Sequence, residues 1–167
     1  MIALTEANTN QIPTIQAIAH KTWPVTFENI LSPQQIEYML DMMYSKTALK
    51  KQINDLGHRF LLANKEKKSL GFISYERPYR EQKETKIHKI YVLPEAQGLG
   101  VGKTLMEAVE HIARNNGDQK LLLNVNKHNE AEKFYERLGF KLIGMEDIAI
   151  GSGFLMEDKI FCKNLGN

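Results

Sequence analysis

The stretch QGLGVGKT, Gln97 to Thr104, carries glycines at 98, 100 and 102 and runs straight into Lys103. Glycines lack a β-carbon, so backbone N–H groups can converge on one anion, and a helix opening there adds unpaired donors and its dipole. Lys103 at the mouth would add a charge-assisted contact. The chemistry indicated is phosphate binding, and spacing narrows which phosphate. A P-loop needs a glycine, four residues, then Gly-Lys-Ser/Thr. Here Gln97 occupies the glycine position, and Gly98 is one residue too close. The best strand to supply a magnesium-binding acid, LLLNVN, ends without one. The dinucleotide fingerprint wants two residues between its second and third glycines, but a single residue separates Gly100 from Gly102.

The elements that must position this loop can be read from periodicity. IALT (Ile2 to Thr5) is a short strand, and from Ile12 the residues Ile15, Ile18, Ala19 and Trp23 recur at helical spacing, with Pro13 in the first turn. SPQQ predicts a second helix start: Ser32 caps, Pro33 presets a dihedral and Gln35 reaches back to the cap. Ile36, Met39, Leu40 and Met43 then form one face, read as a core stripe rather than the wall of a substrate cleft. Ser45 opens a third helix that Gly57 closes. RFLLAN, SLGFISYE and TKIHKIYV are strands, with KEKK (Lys65 to Lys68) as a solvated hairpin turn and Pro94 as the stop. Helical spacing returns from Lys103 to Asn116-Gly117. KLLLNVN is a strand buried on both faces, NEAEKFYERLGF a short helix capped by Asn129, and two strands finish the chain. The sum is one α/β domain over residues 1–167, a mixed sheet with helices on both faces.

A net charge of +2, with basic residues scattered among acidic ones, gives no sign of a nucleic-acid or membrane partner. The single cysteine, Cys162, has no internal disulfide partner and no metal-ligand pattern around it, which fits a reducing compartment. MIALTEANTNQIPTIQ lacks the basic start and apolar run of a secretory signal, and no stretch has the length of a membrane span. A cytoplasmic protein without a metal is the expectation.

Gln97, Gly100 and Gly102 do fit the pattern Gln/Arg-x-x-Gly-x-Gly/Ala, after a strand ending IYVLP and before a long amphipathic helix. Downstream come a buried strand and N-x-A-x-x-F-Y-x-x-L-G-F, Asn129 to Phe140. The combination resembles the GNAT superfamily of acetyl-CoA-dependent N-acetyltransferases, strongly from about Thr85 to Phe140 and more loosely on either side. The resemblance implies a mixed, mostly antiparallel sheet of about seven strands whose fourth and fifth strands splay apart around the cofactor. Acetyl-CoA would then be the cosubstrate. Its diphosphate would meet Gln97, Gly98, Leu99, Gly100, Val101, Gly102 and Lys103, and its pantetheine arm the backbone of Ile90, Tyr91 and Val92. By the same resemblance, Tyr135 is the general acid for the departing thiolate, the Val92 N–H polarises the thioester carbonyl, and Asn129 hydrogen-bonds the cofactor. Many members place that asparagine seven residues before the tyrosine; here it is six before, and His128 holds the other position.

Two residues compete as the base. Strand alternation places His88 on the face of Ile90 and Val92, where a near-neutral imidazole could take the ammonium proton. Glu28 is the rival, from a segment that borders the acceptor site in the family. Asn124 is grouped with the cofactor-binding residues; it sits where some relatives carry an acid and could orient a water. For the acceptor, Trp23, Phe27, Glu28 and Tyr38 are wall residues, and Asp147, Glu157 and Asp158 supply negative charge suited to a cationic amine such as a polyamine. The reaction implied is direct attack by a primary amine in a ternary complex. A protein N-terminus of the ribosomal-protein type is the other acceptor, and a non-catalytic acyl-CoA-binding module the other class. Homodimer formation is compatible with either.

Overall fold

The computed structural model describes residues 1–166. The order is β1 (Ala3–Ala7), α1 (Ile12–Phe27), α2 (Pro33–Tyr44), α3 (Lys46–Asn54), β2 (Arg59–Lys65), β3 (Lys68–Glu76) and β4 (Glu84–Val92). Then come α4 (Val101–Asn115), β5 (Lys120–Asn126), α5 (Glu132–Arg137), β6 (Lys141–Gly151) and β7 (Phe154–Asn164). This is the succession that the periodicity predicts. The KEKK turn holds Glu66 and Lys67 at φ of 51° and 67°, the left-handed pair that a two-residue hairpin needs.

The strands form one seven-stranded sheet in the order β1-β2-β3-β4-β5-β7-β6. Every neighbouring pair is antiparallel except β4 and β5. Their parallel register runs only from Glu84↔Lys120 to Ile87↔Leu123, although β4 continues to Val92 and β5 to Asn126. Beyond that point each strand follows its antiparallel partner: β4 stays with β3 as far as Gly71↔Val92, and β5 with β7 as far as Asn126↔Asp158. The β3–β4 register slips between Ser74 and Tyr75, leaving His88 without a partner where the strands part. A bulge bends and twists its strand, which supplies a local cause for the divergence. The closed end of the V is latched. Arg77 donates to both carboxylate oxygens of Asp118 at 2.8 and 3.0 Å, and the Thr85 hydroxyl donates to the same group at 2.6 Å.

Helices cover both faces. The Trp23 ring of α1 lies 5.7 Å from that of Tyr91, whereas a β-carbon at Gly102 of α4 would stand 3.9 Å from the Val92 side chain. Tyr91 and Val92 are consecutive strand residues, so α1 and α4 lie on opposite sides. Between α1 and the sheet, Trp23, Tyr44, Phe60 and Phe72 form an aromatic core, each at most 1% exposed.

The helix starts are half as predicted. Ser32 accepts the Gln35 N–H at 3.1 Å, but the Gln35 side chain does not reach back; it donates to the Leu155 carbonyl on β7, also at 3.1 Å. A tertiary acceptor has replaced the local one. Ser45 accepts the Ala48 N–H at 3.1 Å and separates α2 from α3. Ser45→Ala removes that cap and is expected to cost about 1 kcal/mol, read as a fall in Tm of roughly 2–4 °C.

Candidate active site

A cavity of about 890 Å³ occupies the parted strands and the loop between β4 and α4. One wall begins with that loop. Gly100 stands at φ 80°, a conformation that costs glycine little, and is the residue before α4. The N–H groups of Gly98, Gly100, Val101, Gly102 and Lys103 have no protein acceptor among the described residues. These are the free first-turn donors that favour an anion. Gly102 also lies under the Phe134 ring, and a β-carbon there would be 3.3 Å from it. Gln97 donates its side-chain amide to the Val92 carbonyl at 3.2 Å, tying loop to strand. Lys103 is exposed and 3.8 Å from Glu107, and Leu99 is exposed as well. Gly102→Val should push Phe134 aside and weaken acetyl-CoA affinity by about tenfold or more, since small misplacements of converging donors are costly; calorimetry reads this directly.

The strand wall is β4. The Leu93 N–H bonds back to the Leu70 carbonyl at 2.8 Å, toward β3. Successive N–H groups of a strand alternate sides, so those of Val92 and Ile90 point away from β3 into the gap. Tyr135 enters from α5, 8% exposed, its ring edge-on to Phe134 and Phe140 at 5.3 and 6.1 Å. Burial pushes its phenol pKa well above the ordinary value, so it carries its proton at any physiological pH. Its hydroxyl has no protein hydrogen bond among the described residues, and the residue lines the cavity. Asn129 is on the cavity wall, whereas His128 is exposed away from it. The Asn129 side-chain oxygen accepts the Ala131 N–H at 2.9 Å, an Asx turn two residues on rather than a cap paired with Glu132. Glu132 instead meets Lys159 at 2.8 Å.

The two expected bases fare differently from the sequence reading. The bulge breaks the alternation that put His88 with Ile90 and Val92. Its Nε2 lies 2.9 Å from Glu76, its ring stacks on His58 at 4.0 Å and 10°, and it shares Tyr79 with Lys86. Burial, then Lys89 and Lys86, lower its pKa to about 3, a poor match for a base at neutral pH. Burial, then His88 and Lys89, lower that of His58 to about 4. His58, Glu76 and His88 bring three ligand atoms within 4.8 Å of one another. A ring nitrogen's lone pair lies in the ring plane, so two parallel stacked rings cannot both aim at one ion. Glu28 is exposed and borders a separate cavity of about 800 Å³ between α1 and α2.

Toward α1 and α2, Trp23 and Phe27 line the main cavity, and so do Met39, Met42 and Met43; the methionine stripe is partly core and partly wall. Tyr38 does not; its hydroxyl donates to the Ile150 carbonyl at 2.7 Å and its ring packs on Phe154. Of the three acids, Asp158 alone faces the cavity, since Glu157 pairs with Lys127 at 2.9 Å and Asp147 is exposed. Asn124 accepts from Lys86 Nζ at 2.6 Å and donates to Asp158 at 3.3 Å. Among the cavity residues not singled out from sequence, Asn126 and Lys89 are polar and buried. Asn126 ends β5 and is buried, a position that the pattern of an apolar strand does not flag. Lys89 is 5% exposed, donates to Gln52 at 2.6 Å, and has its pKa lowered to about 7 by burial.

Comparison with known proteins points one way. A family model described as an acetyltransferase (GNAT) domain matches residues 28–156. A spermidine N(1)-acetyltransferase of Thermoplasma acidophilum is 29% identical over 163 residues, 95% of this chain and 97% of that one. An uncharacterised N-acetyltransferase of Mycobacterium bovis is 26% identical over 139 residues, 83% and 88% of the two chains. Among solved structures, the PaiA N-acetyltransferase of Thermoplasma acidophilum in complex with coenzyme A superposes with a TM-score of 0.81 at 25% identity, over 98% of this chain and 99% of that one.

Proposed function

We propose, from the premise that this chain belongs to the GNAT acetyltransferase family and is an acyltransferase, that it moves the acetyl group of acetyl-CoA directly onto the primary amine of a small cationic acceptor. The observation that carries the reading is the gap that opens beyond Ile87↔Leu123, with free loop donors at one end and Tyr135 on its wall.

The residues fit the coenzyme. The unpaired N–H groups of Gly98, Gly100, Val101, Gly102 and Lys103 match a diphosphate, and the glycine at 102 leaves the space that a β-carbon would take. The N–H groups of Ile90 and Val92 offer a pantetheine arm the edge of a strand. Val92 N–H then donates to the thioester oxygen where negative charge builds as the amine attacks. Tyr135 gives its proton to the sulfur as the carbon–sulfur bond breaks. Held protonated by burial, it still carries its proton when the sulfur leaves.

The acceptor class rests on charge and kinship. Asp158 lends the cavity negative charge beside an apolar wall of Trp23, Phe27 and Met43, which suits an alkyl ammonium. The Thermoplasma relative is named for spermidine. Two measurements test the reading. Calorimetry with acetyl-CoA and, separately, Mg-ATP should show binding of the former alone, with Kd between roughly 1 μM and 1 mM. Thiol release from acetyl-CoA should then depend on added amine, fastest with spermidine in a panel that includes an N-terminal alanine peptide. Binding of Mg-ATP alone would overturn the enzyme class, and preference for the peptide would overturn the acceptor.

A further inference from the structure

Asp158, in the middle of β7, is 8% exposed and borders the acceptor end of the cavity. Its Oδ1 is buried without a hydrogen-bond partner. Its Oδ2 receives only the Asn124 amide, at 3.3 Å. The nearest cation does not pair with it: Lys86 Nζ is directed to the Asn124 oxygen at 2.6 Å. Directly across the ladder on β6 stands Glu146, whose Oε2 shares that same Asn124 amide at 3.4 Å. Like charges facing each other across a sheet repel, and a buried carboxylate with one oxygen unmatched is costly unless a cation comes to it. Among the described residues no cation pairs with Asp158. A cationic acceptor would.

We infer that Asp158 is a catalytic residue that receives the acceptor's ammonium group and takes its proton, an assignment that rests on the amine acetyltransferase reading. The step balances. The ammonium N–H bond breaks and the proton passes to the Asp158 carboxylate. The freed lone pair forms the new carbon–nitrogen bond at the thioester carbonyl, and the carbon–sulfur bond breaks. The sulfur leaves with its electron pair and takes the proton of Tyr135. The nitrogen's surplus proton restores the tyrosine, and Asp158 later loses its proton to solvent. One proton is released per acetyl group moved.

The surroundings tune the group for this. Burial raises its pKa from the usual carboxylate value, the Asn124 hydrogen bond lowers it, Glu146 raises it, Lys86 lowers it and Asp147 raises it, leaving the net direction upward. A carboxylate more basic than usual takes a proton more readily. Tyr91 completes the surround from β4; its own ionisation is opposed by burial, then by Tyr135 and Asp158, which sets all three groups within electrostatic reach of one another. His88 also lines the cavity, but its Nε2 is engaged by Glu76 at 2.9 Å.

Asp158→Asn is nearly isosteric and keeps an oxygen for the Asn124 amide. The expected result at pH 7 is a loss in kcat/KM for spermidine on the order of 100-fold, with acetyl-CoA affinity by calorimetry within about twofold of wild type. The deficit should shrink as pH rises and the free amine sheds its own proton. Asp158→Glu, which restores a carboxylate, should recover part of the rate. Tm at pH 8 should equal or exceed that of wild type, because a buried unmatched charge is gone. Wild-type rates and pH profile in Asp158→Asn would overturn the assignment while leaving the acetyltransferase reading intact. A joint fall in Tm and coenzyme affinity would make the residue structural and overturn it too. Absence of turnover by the wild-type protein with every amine would sink the reading beneath it instead.

Discussion

Tyr135→Phe is expected to lower kcat by about 100- to 1,000-fold while leaving acetyl-CoA affinity within about twofold of wild type. The substitution removes one oxygen and nothing else. The ring contacts with Phe134 and Phe140 survive, so α5 keeps its seat against the sheet. The hydroxyl bonds no protein group among the described residues, so its loss strands no buried partner. On the proposed mechanism, only the proton supply to the leaving sulfur disappears. Because burial raises the phenol's pKa, wild-type rates should not decline through ionisation of this group below about pH 10. Stopped-flow thiol detection gives kcat and calorimetry gives Kd. Equal losses in both would show that the tyrosine shapes the cavity and does not act as the acid.

The second large effect is on stability. Asp118→Ala is expected to cost about 3 kcal/mol, near the low end for breaking a buried ion pair, with a fall in Tm of roughly 6–12 °C. The Asp118 side chain is 1% exposed, and losing it removes two bonds from Arg77 and one from Thr85. The stranded guanidinium is 23% exposed and recovers some water, which places the cost at the low end. Burial by itself would raise the Asp118 pKa, but the Arg77 and Thr85 hydrogen bonds outweigh it and the net shift is downward. A depressed carboxyl stabilises the fold fully above its unfolded pKa of about 3.9 and loses that contribution as pH falls through the folded value. The gap between the two proteins in urea midpoint should therefore be widest near pH 7 and close in strong acid. A constant gap would mean that packing, not charge, holds the latch. The latch joins the β3–β4 connection to the start of β5, so it also fixes the closed end of the V from which the two cavity walls diverge.

Much of the machine was legible because it is local. The glycine spacing from 98 to 102 fixed a left-handed residue and free first-turn donors within a few residues of one another, and both are in the structure. The Ser32 and Ser45 caps, the KEKK turn and the order of all twelve helices and strands rest on short-range hydrogen bonding and periodicity in the same way. What failed was whatever depended on a distant partner. Gln35 was free to reach its own cap until Leu155, 120 residues on, offered a better acceptor. His88 alternated with Ile90 and Val92 until the mismatch with β3 inserted a bulge.

The candidate site divides along the same line. The amino-acid sequence by itself determined the family motif, the glycine-rich loop with its free donors and the place of the tyrosine, since each is written within one strand-to-helix passage. Only the tertiary structure decided where β4 and β5 part and which acid faces the gap. Asp147, Glu157 and Asp158 are all carboxylates, and their fates depend on what the neighbouring strands and loops present: Lys127 for Glu157, solvent for Asp147, and, among the described residues, only the Asn124 amide for Asp158. Charge is a property of a residue, but whether that charge is already satisfied is a property of the assembled sheet.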